Sequence, residues 1–216
     1  MNPEDTKPVP FMGKITAGYT HEIRNILSIM AESVGLMQDI LSMDQDRMLQ
    51  YKDKLSSSLA MIEKQIERGD ALSTHLNRLA HAPDQDVGQI DLDQATGTMV
   101  ALTQRFARRH HLQLRHIPAG KKIRIQTRPF ALMMLIHGLI QCTVQAAPQD
   151  ACLDIQTMFV QDKARLSIQC CNHLDPADFR TSITHEAWES LQALCSPVQA
   201  QAVLLTEEAG IEILFP

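Results

Sequence analysis

Residues 11–41 read FMGKITAGYTHEIRNILSIMAESVGLMQDIL, with no proline and with apolar side chains at Ile23, Ile26/Leu27, Met30, Val34, Met37 and Leu41. Steps of three and four residues mark one face of a long helix. Ser42-Met43-Asp44-Gln45-Asp46 breaks the pattern with short polar residues suited to a turn and an N-cap. A second stripe follows at Leu55, Leu59, Ile62, Ile66, Leu72, Leu76 and Leu79, and continues to about Ala80. Two long helices joined by a few residues predict an antiparallel helical hairpin. Helices this long complete a four-helix bundle when a second copy supplies the other pair, so the hairpin predicts a homodimer. The first ten residues, with Pro3, Pro8 and Pro10, read as a flexible lead-in.

His81 to Gly88 has the Pro, Gly and polar residues of a linker. Beyond it the texture changes. A helix from about Leu92 to His111 precedes an alternating segment, Leu112 to Ile117, then Pro118-Ala119-Gly120 and Ile123-Arg124-Ile125, which predicts strand, turn, strand. Pro129 opens a helix that runs through Ala147. Strands are expected at Cys152–Val160 and Ala164–Cys170, then a loop, a short helix around His185 to Leu194, and final strands at Gln201–Leu205 and Ile211–Phe215. The fold class expected is α+β: a hairpin over 11–81 and an α/β sandwich over 88–216, with helices on one face of a mixed sheet.

Composition narrows the function. The 216 residues are 44% apolar and 21% charged, close to the globular norm and outside the disordered class. Aromatics make up only 4% and Met is abundant at 11, so Leu, Ile, Met and Ala must fill the core. The apolar run Ala131 to Ile136 falls far short of the roughly 20 residues of a membrane helix. The N-terminus carries no apolar stretch to act as a secretion signal. Five Cys without a CxxC indicate neither a disulfide framework nor a metal site. These features predict a soluble, cytoplasmic protein with no membrane partner. Residues 105–128 hold eight Lys/Arg and no acid, whereas 129–216 hold three Lys/Arg against ten Asp/Glu. A short basic segment beside an acidic half reads as a solvated face, less basic than a nucleic-acid binder requires. His110, His111 and His116 sit among Arg108, Arg109 and Arg115, which would repel a metal ion. Cys170-Cys171 reads as packing, and Trp188 with Leu191 as packing of the short helix.

Chemistry concentrates in Thr20-His21-Glu22-Ile23-Arg24-Asn25. His21 lies two residues before Ile23, about 200° round the helix, and should face solvent. Asn25 shares its face, Arg24 borders it and Glu22 is adjacent. A neutral solvent-facing imidazole is a competent nucleophile. A neighbouring carboxylate can hold its Nδ1 proton and leave Nε2 free to attack phosphorus, while Arg and Asn steady the phosphoryl oxygens. The candidate catalytic residues are therefore His21, Glu22, Arg24 and Asn25.

Gly18-Tyr19-Thr20-His21-Glu22-Ile23-Arg24-Asn25-Ile26-Leu27 resembles the H-box of two-component sensor histidine kinases. It matches that pattern at His21, Glu22, Ile23, Arg24, Asn25 and Leu27, and departs at Ile26, where the family commonly has Pro. The resemblance implies a hairpin that dimerises into a four-helix bundle, with His21 as phosphoacceptor. It continues in outline through the C-terminal half, ending at Ala209-Gly210-Ile211-Glu212-Ile213-Leu214-Phe215-Pro216, which is similar to the kinases' last strand. The family's nucleotide motifs are missing. Gly138-Leu139-Ile140-Gln141-Cys142-Thr143 puts Cys142 where a magnesium-binding Asn belongs, and a thiol suits a hard cation poorly. Ile168 to Pro176 contains no glycine where Asp-x-Gly-x-Gly belongs, and no Gly occurs between Gly138 and Gly210. A phosphate-cradling loop without glycine is hard to build.

The combination is similar to the dimeric histidine phosphotransferases, which pair a phosphoacceptor bundle with a degenerate ATPase-like domain. That resemblance implies phosphoryl transfer between receiver aspartates through His21, tuned by Glu22 and assisted by Arg24 and Asn25. It implies response-regulator receiver domains as partners, no ATP and no cofactor bound by this chain. The alternatives are a catalytically silent adaptor that docks a response regulator or kinase, and a divergent sensor histidine kinase.

Overall fold

The structure is a computed structural model, and it describes residues 6–43, 50–160, 163–171 and 174–216. Helix α1 spans Pro8–Leu41 and α2 spans Lys52–Ala80. The lead-in is therefore shorter than expected, because Pro8 and Pro10 sit in a first turn whose N–H groups lack intrahelical partners anyway. Pro3 and the expected turn residues Asp44-Gln45-Asp46 lie outside the described residues.

The hairpin pairs along a seam other than the stripe read from the sequence. On α2 the buried residues are Ser58, Gln65, Leu72 and Leu79, one every seven positions. On α1 they are Phe11, Ile15, Glu22, Ile26 and Ile40. A seven-residue spacing keeps one line of contact facing a partner helix. Several apolar residues of the expected stripe instead point outward, among them Leu27 at 58% exposure and Ile66 at 55%. Val34, Leu41 and Leu59 accompany them on the open side of the hairpin.

A 3-10 turn at Ala82–Asp84 leads to β1 (Gly88–Asp91), α3 (Leu92–Arg109), β2 (Gln113–Ile117), β3 (Arg124–Thr127) and α4 (Pro129–Ala146). Strands β4 (Cys152–Val160) and β5 (Lys163–Cys170) follow, then α5 (Pro176–Ser182), α6 (His185–Cys195), β6 (Gln201–Leu204) and β7 (Gly210–Leu214). The main sheet has the order β2-β4-β5-β7-β6. β2 runs parallel to β4, with Gln113 opposite Cys152, and the other neighbours are antiparallel. The architecture is the α+β arrangement expected, with a helical hairpin followed by a mixed-sheet α/β layer.

Two details depart from expectation. Strands β2 and β3 form no hairpin; β3 pairs with β1, Gly88 opposite Thr127, in a separate two-stranded ribbon. The cause lies at the start of α3. Asp93 Oδ1 accepts from Thr157 Oγ1 at 2.7 Å, His116 Nε2 at 3.0 Å and the Ala119 N–H at 3.3 Å. This carboxylate turns the chain away after β2 and commits β2 to the β4 edge. The segment read as linker and loop also contains two extra elements, β1 and α5, the latter capped by Asp175, which accepts from Ala177 N at 2.7 Å.

One hydrophobic core joins hairpin and sheet layer. Phe11, fully buried in the first turns of α1, meets the His137 ring edge-on at 5.1 Å and Phe130 at 5.7 Å, both on α4. Leu72 and Leu79 of α2 belong to the same cluster as Leu92, Leu135, Ile168 and Ile211. Helix α4 is long and apolar enough to cross a membrane by length and composition, with mean hydropathy 1.4, although no unbroken apolar run in the sequence announces it. It is 83% buried inside the molecule, which makes it the core helix of this layer. At Gly210 a Cβ would lie 2.5 Å from the Ile168 carbonyl, so the close pairing of β7 with β5 requires glycine there.

Candidate phosphoacceptor site

His21, Arg24 and Asn25 are all exposed on α1. Among the described residues the His21 imidazole makes no hydrogen bond or ion pair. Nearby, the Tyr19 hydroxyl lies 3.1 Å from Ser73 Oγ across the hairpin. Thr20 satisfies its own hydroxyl by donating to the Thr16 carbonyl at 2.8 Å.

Glu22 departs from the role expected for it. One residue further along a helix is a rotation of about 100°, and that step carries Glu22 into the interior, where it is 8% exposed. Its Oε1 accepts from Arg68 of α2 and, at 2.9 Å, from Arg108 of α3. The carboxylate is thus engaged away from the His21 ring and ties three helices together. Partial burial, and then the neighbouring Arg108, lower the Arg68 pKa from its ordinary value, yet a guanidinium remains charged in a protein.

Two clefts flank this part of α1. One, of about 330 Å³, is lined by Gly18, Tyr19, Glu22, Arg68, His75 and Arg108 among others. The other, of about 320 Å³, has His21 at its wall and lies between α1, α3 and α4. Lys14, Arg105 and Arg109 supply its charges, Gln141 and His137 come from α4, and Ile15, Leu102 and Phe106 supply apolar surface. Among the described residues no Asp or Glu lines it. Sequence reading did not find this cleft. The signal for it in the sequence is the pair Arg105 and Arg109, four apart and so on one face of α3, which the surrounding run of basic residues obscures.

The other candidates resolve into structural contacts. His116 pairs with Asp93 at 3.0 Å, and His110 packs its ring 4.8 Å from Phe106. Cys152, Asp154 and Cys171 bring potential ligand atoms within 4.8 Å of one another. A cation there would have to displace Arg115, which donates to both Asp154 oxygens at 2.7 and 2.8 Å and lies 3.4 Å from Cys171 Sγ. Arg115 holds the Asp154 carboxyl below the usual carboxylate range, and burial with Asp154 pushes the Cys171 thiol up to about 12. Cys142 is 1% exposed within α4, and burial raises its thiol to about 11. Trp188 is half-buried against the main core.

No family model matches the chain, and no curated protein matches it. Solved structures do. A bacterial phosphotransferase shares 13% identity over 96% of each chain, with a TM-score of 0.47. The histidine kinase AdeS of Acinetobacter baumannii shares 13% identity over 90% of this chain and 96% of its own, with a TM-score of 0.44. Histidine kinase ThkA, solved in complex with the response regulator protein TrrA, shares 14% identity over 98% of this chain and 63% of its own, with a TM-score of 0.48.

Proposed function

We propose that this protein is a histidine phosphotransferase of two-component signalling, relaying a phosphoryl group between receiver aspartates through His21. The observation that carries the reading is an exposed imidazole without a partner among the described residues, beside a cleft whose charged lining residues are all cations. In the forward step Nε2 attacks the phosphorus of a receiver's aspartyl phosphate. The new N–P bond forms as the P–O bond to aspartate breaks, the carboxylate leaves, and the imidazole releases its Nδ1 proton to water. A second receiver's aspartate reverses these bonds and takes the phosphoryl group. Positioning and charge stabilisation dominate such transfers, and in this reading the exposed Arg24 and Asn25 assist. Glu22 contributes by fixing α1 against α2 and α3.

The reading uses no ATP. Cys142, at the position where the H-box family carries its magnesium-binding Asn, is core packing with a raised thiol pKa, and the chain from Leu139 to Ala209 has no glycine. It also includes a homodimer in the cytoplasm. The outward row of Leu27, Val34, Leu41, Leu59 and Ile66 supports a second hairpin completing a four-helix bundle.

Incubation with phosphorylated receiver domains tests the proposal. Acid-labile, base-stable label should appear at His21 in the wild type and vanish in His21→Gln with the fold intact. Receivers that leave the wild type unlabelled would overturn it, and micromolar affinity for Mg-ATP by calorimetry would favour a divergent kinase instead.

A further inference from the structure

We infer that the cleft beside His21 is a holding site for the phosphoryl group that His21 carries, which shields the phosphohistidine from water until a receiver takes it. The inference rests on the phosphotransfer reading but on different residues. Arg105 and Arg109 make no ion pair or hydrogen bond among the described residues. Both line one cavity that, among the described residues, has no carboxylate in its wall. Like charges gathered around an apolar-walled space repel one another, and an anion placed between them relieves that repulsion. A phosphoryl group brings close to two negative charges and three strong acceptors, matched to the planar fork of arginine.

A second, independent observation comes from α4. Gln141 lines the same cleft, is 3% exposed, and has an Oε1 with no hydrogen-bond partner. Buried side-chain amides are normally satisfied. A terminal amide can turn its NH₂ toward an ionised phosphoryl oxygen or its carbonyl toward a protonated one, so a phosphoryl group meets either need.

The shielding follows from stereochemistry. Hydrolysis requires water to attack phosphorus in line, on the side opposite the imidazole. The water oxygen bonds to phosphorus, the N–P bond breaks, the ring nitrogen takes back a proton, and inorganic phosphate leaves. A phosphoryl group turned into the cleft would have lining residues such as Leu102, Thr103 and Gln141 around it in place of bulk water. Transfer to a receiver requires the group to turn outward.

The experiment uses the full chain labelled at His21 with phosphoramidate, a small donor whose P–N bond breaks as ammonia leaves and Nε2 takes the phosphoryl group. Label lifetime at neutral pH is compared among wild type, Arg105→Gln/Arg109→Gln, Gln141→Leu and Arg124→Gln, with folding checked by circular dichroism. The arginine double variant should lose label about tenfold faster, equivalent to about 1.4 kcal/mol of barrier. Gln141→Leu should move the same way by a smaller factor. Arg124→Gln, which removes a charge from β3 outside the cleft, should match wild type. Equal lifetimes in all variants, an equal loss in the Arg124→Gln control, or failure of His21 to take label would overturn the inference. Labelled wild type that passes label to no receiver would instead overturn the phosphotransfer reading and leave the lifetime difference in support of the cleft.

Discussion

Glu22 of α1 and Arg108 of α3 meet carboxylate to guanidinium at 2.9 Å, and the same Glu22 oxygen also accepts from Arg68 of α2. The acid beside His21 therefore clamps the α/β layer onto the hairpin. Glu22→Gln keeps the shape but leaves two guanidiniums facing a neutral amide. Hydrogen bonds to charged groups contribute about 1.5–3 kcal/mol, so urea unfolding should show a loss in that range. His21→Gln, on the exposed face, should stay within about 0.5 kcal/mol of wild type. Equal stability of the two variants would show that the clamp carries no weight.

The other end of α1 is held by packing. Phe11 is completely buried between Phe130 and His137, whereas Val9, two residues earlier, is 82% exposed. Phe11→Ala should cost about 3–5 kcal/mol, as for other large-to-small core changes, and Val9→Ala about 0.5 kcal/mol or less. Denaturant midpoints of the two variants, compared at unchanged slope, check this pair.

How far the sequence reveals this molecule depends on which interaction sets each feature. Strands β4 and β5 are legible to within a residue or two because their alternation follows their own burial, and α4, buried all round, is legible from Pro129 at its start. The hairpin was legible as an element but not in its facing. Three seam positions are polar (Glu22, Ser58 and Gln65), while Leu27, Val34 and Ile66 are apolar and outward, so hydrophobicity pointed to the open side. Strand partners were not legible, since the decisive contacts are those of Asp93 with His116, Ala119 and Thr157, up to 64 positions away. The exposure of His21 followed from helical phase alone. The direction of Glu22 did not, because it depends on Arg68 and Arg108 in other helices.

Asp154 gives the acid limb of stability a definite sign. Its pKa is lowered chiefly by the hydrogen bonds from Arg115, below an unfolded value of about 3.9. A lowered folded-state pKa stabilises fully above the unfolded value, and that contribution is lost as pH falls through the folded pKa. Asp154→Asn should therefore be less stable than wild type at neutral pH. The gap should close as pH drops below about 4, read as melting temperature against pH. A gap that stays constant down to the lowest accessible pH would mean that Asp154 acts through shape and not through charge.

The same carboxylate governs an exposed thiol. Cys171 is exposed, yet its thiol is pushed up to about 12, first by its own partial burial and then by Asp154. Thiolate is the reactive form, so at pH 8 only about one part in ten thousand of such a thiol is ready to attack. Iodoacetamide should therefore modify Cys171 slowly in the native protein despite its accessibility. Cys142 and Cys195, buried and raised to about 11, should react only on unfolding. Asp154→Asn removes a negative neighbour and leaves Arg115 beside the sulfur, which lowers the thiol pKa. Cys171 alkylation should then speed up by about three- to tenfold at pH 8, the gain in thiolate that a shift of half to one pKa unit produces, while Cys142 and Cys195 remain unmodified. Peptide mapping of the alkylated protein separates the sites. An unchanged Cys171 rate in Asp154→Asn would mean that burial alone sets the thiol, and a fast rate already in wild type would mean that the Arg115 contact prevails over both.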